Sequence, residues 1–515
     1  MDNAALQREI MTRFSAALPT VLYGPNGKPL GPTSFQYSRP AAARSGSMIE
    51  WNPKPISGWS AANERERIVE RSIELCNSDP HASGIVDTFA TTAVGSGLNP
   101  FPLVDKEALG IDKDQARALQ LQQRIVYRAW AGRADSAGQL TFGEIQALCY
   151  RSAMEFGEFF VLLPMIQVGR KYALTCQVIH PLRVRTPSDY YSDKTIIDGV
   201  RIGRYGAPIS IFIKKSGNRY KDNSSANFYE VPVSRGGRPI ILHGFFKKEP
   251  EQYRGYPVLA PVMKMLKDFH DLVDAELVSS VVTAAFSLFI ESAAGTDPSF
   301  PAINAATLTE YGFNADGNAE TIRYEGFEPG QVLYGNPGEK PQVINPNRPG
   351  ATFAPFIKTL KDSISGALGM HPAVTFKQMD GLTFAAGRLA WLDAWRVFTR
   401  DRTWLVNRLC QPVYTALIEE AWLRRDIDYQ DFYAQPEALT NCDWRGAPKG
   451  NIEPIQDIKA DVIAIENNLK TRSQRAAEQG EDWQNIIDTL AEEKNAMDAA
   501  GLIPLGPNEP QDKQG

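Results

Sequence analysis

The sequence predicts an α+β protein in which helices and a mostly antiparallel sheet occupy separate stretches of the chain. Three observations carry this: apolar residues at helical spacing from position 61 to about 156, six short Val-, Ile- and Phe-rich runs between about 158 and 246, and a return to helical spacing from 257 onward. At 515 residues the chain exceeds what one hydrophobic core serves, and the usual domain size gives roughly three or four units. Apolar residues make up 43% and charged residues 22%, a balance under which most of the chain folds.

Residues 1–58 are rich in Gly, Pro and Ser ("YGPNGKPLGPTSFQYSRPAAARSGSM"), a composition suited to an arm that orders on a partner. Two helices follow. Ile68, Ile73 and Leu75 share one apolar face, Ile85, Val86 and Phe89 another, and "NSDP" breaks the pair. A third helix covers about Gln115 to Ala131. A fourth opens at "TFGEIQALCYRSAMEF", where Thr141 and Glu144 have the capping-box spacing in which each side chain satisfies a free backbone N–H. The strand runs are "EFFVLLPMIQV", "KYALTCQVI", "TIIDGVRI", "APISIFIKK", "FYEVPV" and "RPIILHGFF", separated by Gly, Pro and Asp turns.

A long helix is expected from about Pro257 to Glu291, then an irregular stretch over 292–350 with strand-like pieces at "ETIRYEG" and "GQVLYG". A second helix spans about Phe353 to Leu368. A polar loop precedes a long helix from about Thr383, whose Trp391, Trp395, Phe398, Leu405 and Leu409 form one apolar stripe. Arg388, Arg396, Arg400, Arg402 and Arg408 surround that stripe and are expected to pair mainly with carboxylates. Asn441 to Pro454 reads as a linker, followed by charged helices at 455–468 and 471–499 and a Pro-rich tail.

Signatures of chemistry are few. "GPNGKP" at 24–29 is too short for a phosphate-binding P-loop, and "VGSGLNP" offers Gly95 and Gly97 without a third glycine, after a helix rather than a strand. Those glycines are expected to stop the helix. There is no GxSxG, HExxH or HxE…PCxxC pattern. His81, His180, His243, His270 and His371 are scattered singly and read as structural. Asp426, Asp428 and Asp431 lack the glycine and closing glutamate of a calcium loop and read as a solvated acidic turn. No enzyme activity, cofactor or metal is expected.

Cys76, Cys149, Cys176, Cys410 and Cys442 lie far apart without a CxxC pair, pointing to reduced thiols. The N-terminus has no apolar core of a secretory signal. The most apolar run, "LVSSVVTAAFSLFI", has 14 residues, short of the roughly 20 that span a bilayer, so no membrane partner is expected. A net charge of −5 without a long basic run argues against tight, sequence-specific DNA binding.

Several strings together resemble the portal proteins of tailed bacteriophages, the lambda-like portal family, over about residues 60–500. "ERSIELCNSDPHASGIVDTFATTAVGSGLNP" is similar to the family's early helical segment, and "TFGEIQALCYRSAMEFGEFFVLL" to its segment with a Gly-Glu pair, here Gly157 and Glu158. "IIDGVRIGRYGAPISIFI" resembles the stretch that carries GRPVAY, with Ala207 in place of the usual Arg. The most specific match is "ILHGFFKKEPEQYRGYPVLAPVMKMLKDFHDLVDAEL", in which Gln252, Arg254, Gly255, Pro257, Leu266, Lys267, Asp268, Asp274, Ala275 and Glu276 fall in register. "EPGQVLYGNPGEKPQVINPNRPGATFAPFIKTLKDSISGALGM" is similar to a later run. The chain departs from the pattern at His180 and Leu182, where the family tends to have aspartates, and at "LTFAAGR", where only Arg388 of YSSxR is kept.

The resemblance implies a dodecameric ring at one capsid vertex of the virion, assembled in the host cytoplasm, through which double-stranded DNA is packaged and later ejected. It implies as partners the terminase large subunit, then head-completion, adaptor and tail proteins, with major capsid and scaffolding proteins around the ring. In family terms, residues 1–58 are an N-terminal arm, 59–256 the α/β wing, 257–291 a stem helix, 292–350 the clip with small strands, 351–369 a second stem helix, 370–384 the tunnel loop, 385–440 the long wing helix, and 441–515 the helical crown and tail. The alternative is another ring-forming head-tail connector or scaffold protein without catalytic activity.

A ring of identical chains uses heterologous interfaces, and the strands of the clip are expected to pair with a neighbouring copy's clip and present a rim for terminase and adaptor. DNA that slides tolerates only a sparse, mixed-charge lining, since each neutralised phosphate tightens binding. The candidate lining is Lys358, Lys361 and Asp362 on one helix face, Lys264 and Lys267 near Asp271 on the other stem helix, and His371, Thr375, Phe376, Lys377, Gln378, Met379 and Asp380 in the loop.

Overall fold

A computed structural model describes residues 61–215, 223–285, 288–290, 310–313, 319–322, 332–334, 353–450, 453–481 and 483–501. The expected arm at 1–58 and most of the expected clip at 292–350 lie outside the described residues.

The helix pair forms where "NSDP" breaks the pattern: α1 spans Ala61–Ser78 and α2 Pro80–Ala93. Asp79 caps α2 by accepting from the Ala82 N–H at 2.6 Å, and Pro80 occupies the first helical position, where no N–H is needed. α2 ends at the Gly95/Gly97 turn, which also docks on the next helix pair. A Cβ on Gly97 would lie 2.6 Å from Gly143 Cα, so the backbones touch. There Gln146 accepts from Leu98 N–H at 2.6 Å and donates to Leu98 O at 3.0 Å. α3 (Lys113–Ala131) and α4 (Phe142–Glu155) match expectation, and Thr141 and Glu144 make the reciprocal capping box.

Strand β1 (Asn99–Pro102) pairs antiparallel with Cys442–Arg445, inside the stretch expected to be a linker. That expectation is corrected. Pro100 and Pro102 alternate, so both missing N–H groups face away, while Leu103, on the same side as Phe101, donates to Asn441 O at 2.8 Å. Pairing across more than 300 residues has no local signature.

The strand runs build two antiparallel sheets. β2 (Glu158–Leu162) lies between β3 (Gln177–Ile179) and the later strand Ile241–Phe245. β4 (Ile196–Ile197), β5 (Val200–Ile202), β6 (Pro208–Lys214) and β7 (Phe228–Pro232) form the second sheet in that order. Asp198 and Gly199, at φ 47° and 83°, make the tight turn from β4 to β5 that an Asp-Gly pair favours. Phe160, Ile179, Val184, Ile211, Ile213 and Ile241 bury one apolar cluster between the sheets.

The first long helix, α5, runs Met263–Ala285 rather than 257–291. Pro257 and Pro261 disfavour an earlier start. Past its end, Leu288–Ile290 is extended and pairs in parallel with Val332–Tyr334, a ladder that overrides the helical pattern there. Glu310–Phe313 and Ala319–Ile322 pair antiparallel within this same chain. α6 (Phe353–Ala367) is as expected.

Thr383 caps α7 (Phe384–Leu405), which passes through a π turn at Val406–Cys410 into α8 (Gln411–Leu423). Pro412 lacks the N–H that would reach back one helical turn, and the Gln411 N–H bonds to Val406 O instead, five residues back. Phe398, Leu405 and Leu409 are fully buried and Trp391 and Trp395 pack against the core, as the stripe required. Of the five arginines around it, two meet carboxylates, Arg388 with Glu453 and Asp457 and Arg400 with Asp401, while Arg402 instead donates to the Thr92 and Ala93 carbonyls at the end of α2. The expected helix 471–499 is two helices, Arg472–Glu478 and Trp483–Ala499, after Pro454–Glu466. Gly480, at φ 79°, takes the left-handed conformation that ends the first of them.

Candidate nucleic-acid-contacting loop and its support

The loop begins where Gly369, at φ 72°, turns the chain out of α6 and Met370 N–H donates to Ser365 O at 3.0 Å. His371 caps a single helical turn, Pro372–Thr375, by accepting from Ala373 N–H on Nδ1 at 3.1 Å. Thr375 is buried and its hydroxyl donates to the His371 carbonyl at 3.2 Å. Both are occupied with local structure, and Phe376 is half-buried beneath them. Lys377, Gln378, Met379 and Asp380 form the exposed tip. Lys377 adopts φ 53°, which costs a non-glycine residue about 1 kcal/mol.

α5 and α6 pack on each other beside this loop. Lys358, Asp362, Lys264 and Lys267 are exposed, and Lys267 pairs with Asp271 at 3.1 Å one helical turn on. Lys361 does not share the surroundings of Lys358 and Asp362. Its ammonium lies over the Phe269 and Phe376 rings and has no carboxylate partner among the described residues.

Ahead of α5 in the chain lies a buried polar network whose members no sequence pattern marks as a group. Glu158, fully buried at the start of β2, accepts from Arg254 Nε at 2.9 Å, Arg254 Nη2 at 2.6 Å, Arg65 Nη1 at 3.2 Å, Gly255 N–H at 3.1 Å and His243 Nε2 at 3.0 Å. Arg65 and Arg254 also reach Asp198. Burial alone would raise the Glu158 carboxyl, but Arg254 and then Arg65 outweigh it and hold it well below the usual carboxylate range. His243 is held below 6.5 chiefly by burial, with Glu158 pulling the other way.

Two glycines make this possible. A Cβ on Gly157 would sit 2.3 Å from the Tyr256 carbonyl carbon, and one on Gly255 would sit 1.9 Å from Gly157 O. Backbone therefore lies directly on backbone, which delivers Glu158 to Arg254 just before the chain enters α5. The signal was present in the Gly157-Glu158 and Arg254-Gly255 pairs, but only their pairing in space reveals the role.

All five cysteines are free thiols. Among the described residues no cluster of His, Cys, Asp and Glu is placed to hold a metal, and no helix is long and apolar enough to cross a membrane.

The profile of the family described as phage portal protein, lambda family, matches residues 44–402, a span that includes the Glu158 network, both stem-like helices and the loop. The chain belongs to that family. Portal protein B of Escherichia phage lambda is 23% identical over 505 residues, covering 95% of this chain and 94% of that protein. The portal protein of Escherichia phage N15 is 24% identical over 511 residues, 94% of each. Among solved structures, a chain from the neck of a native gene transfer agent particle, computed with C12 symmetry, is 12% identical and covers 84% of this chain and 97% of that one, at a TM-score of 0.34. The choice between a portal and another head-tail connector, open in the sequence, falls to the portal. By family, this chain is a phage portal protein.

Proposed function

We propose that copies of this portal protein close into a dodecameric ring at the capsid vertex, with double-stranded DNA passing through its centre in packaging and ejection. α5 and α6 form the stem, 370–384 the tunnel loop, and 292–350 the clip that receives the terminase large subunit first and head-completion, adaptor and tail proteins afterwards. The observation that carries this reading is the family match running unbroken through both helices and the loop. Two features support it. α5 leaves Leu277 and Val278 each 62% exposed, an apolar face suited to cover by a neighbouring copy. The loop tip offers one cation, Lys377, beside an amide, a thioether and a carboxylate, a set able to touch phosphates without trapping them.

The test combines Lys377→Ala, Gln378→Ala and Met379→Ala in a phage whose rings still assemble, as judged by negative-stain imaging. Genome filling is expected to fall. Full heads with normal DNA content would refute the loop's role. The docking role is checked by co-purification of the terminase large subunit with the ring, lost on deletion of 300–340 and unaffected by the loop substitutions.

A further inference from the structure

We propose that Lys361 is a positioning residue for the loop, not a phosphate contact: it clamps the loop root at Phe376 and Gln378 so that residues 377–380 project in one orientation. This rests on the reading of 370–384 as the tunnel loop.

Three elements surround the Lys361 ammonium of α6. It sits 5.5 Å from the Phe376 ring centroid and 6.0 Å from that of Phe269 on α5, and donates to Gln378 Oε1 at 3.1 Å. The His81 ring, in the first turn of α2, closes the cage, tilted against Phe269 at 4.9 Å and edge-on to Phe376 at 5.5 Å. Ring faces and an amide oxygen satisfy an ammonium without cancelling its charge. Burial holds His81 below 6.5, Asp79 opposing and Lys361 and His270 adding to it, so the cage carries one cation.

The two grips straddle Lys377, the residue whose left-handed backbone is strained. Such a conformation persists only where its surroundings over-determine it. Phe376 on one side is pinned by its rings and by its N–H bond to Pro372 O at 2.8 Å; Gln378 on the other is held by Lys361. A rotation of α6 therefore moves the tip of the loop through one side chain.

The test is hydrogen exchange on the full-length assembled protein, paired with the salt dependence of DNA retention. Lys361→Ala and Lys361→Met, the latter keeping the apolar stem, should each speed exchange at amides 376–380 about tenfold, from loss of one cation–π contact and one hydrogen bond. Lys361→Arg, which also stacks and donates, should restore most of the protection. Unchanged exchange in the Ala and Met variants overturns the clamp. For DNA, Lys377→Ala should flatten the salt slope while Lys361→Ala leaves it as in the parent; if Lys361→Ala flattens it equally, Lys361 is a phosphate contact and the proposal fails. If exchange rises and neither variant alters the slope, the clamp stands and the DNA-facing reading of the loop is what fails.

Discussion

Replacing Glu158 with Gln removes the more buried of the two carboxylates that Arg65 and Arg254 share, while keeping its shape. Five donors converge on that side chain at 2.6–3.2 Å, and it is fully buried. The amide retains one acceptor oxygen but leaves two buried guanidiniums with Asp198 as the one carboxylate still paired to them among the described residues. Breaking a buried pair from one side costs about 3–5 kcal/mol, because the remaining charge is stranded. For a cooperative unit of roughly 150–250 residues that lowers Tm by about 10 °C. Differential scanning calorimetry of the full chain gives the measurement, read as the midpoint of the transition that takes α1 and the sheets. Glu158→Gln combined with Arg65→Met should recover part of the loss, since one stranded cation is gone. A shift below about 2 °C for the single variant would refute the reasoning. The pH dependence has a definite sign. The Glu158 carboxyl is depressed below its ordinary 4.5 in the fold, so its contribution is complete above that value and is lost only as pH falls through the lower, folded value. His243 acts in a higher window: the unfolded chain takes up its proton first, so stability declines as pH drops below 6.5. Without Glu158 to oppose burial, that decline should steepen.

Gln146→Leu strands the Leu98 N–H and carbonyl, both buried, and should cost about 2–3 kcal/mol in urea denaturation. Gly157→Ala places a Cβ against the Tyr256 backbone at φ 90°; soluble protein should fall sharply, and normal yield with an unchanged Tm would contradict the backbone contact. Burial pushes the Cys76 and Cys442 thiols up to about 12 and those of Cys149 and Cys410 well above their ordinary value. Iodoacetamide at pH 8 should therefore leave the native protein unmodified by intact mass and label all five thiols in denaturant.

Local chemistry made much of the fold legible. Thr141 and Glu144 announced a helix start and the Trp391-to-Leu409 stripe a buried helix face, because each is decided by local chain chemistry. The misses share one cause. Asn99–Pro102 and Cys442–Arg445 are unremarkable until they pair with each other, and Leu288–Ile290 reads as helix until Val332–Tyr334 lies beside it. Among the loop candidates, sequence grouping by residue type placed His371, Thr375 and Phe376 with the exposed tip. In the fold the first two serve the turn and the third serves the cage. Lys361 was grouped with Lys358 and Asp362 by helical spacing, a rule that fixes the helix face but not the neighbour that a long, flexible side chain reaches.

Under the proposed function, a fixed loop root and a weakly charged tip serve one requirement. In the proposed ring every residue is multiplied, so a single lysine per copy would present a full circle of cations. Each phosphate neutralised adds about 0.9 to the slope of log K against log salt, and a second free lysine per copy would double the possible grip. In that proposed ring, caging the Lys361 ammonium among Phe269, His81 and Phe376 would withdraw one such charge from the circle, and Asp380, three residues from Lys377, would offset the charge that remains. A weak contact is useful only if its position is fixed, because thermal wandering of the loop would let the copies engage phosphates unequally. The Glu158 network and the glycine contact fix the chain ahead of α5, and in the proposed clamp Lys361 ties the helix pair to the loop tip.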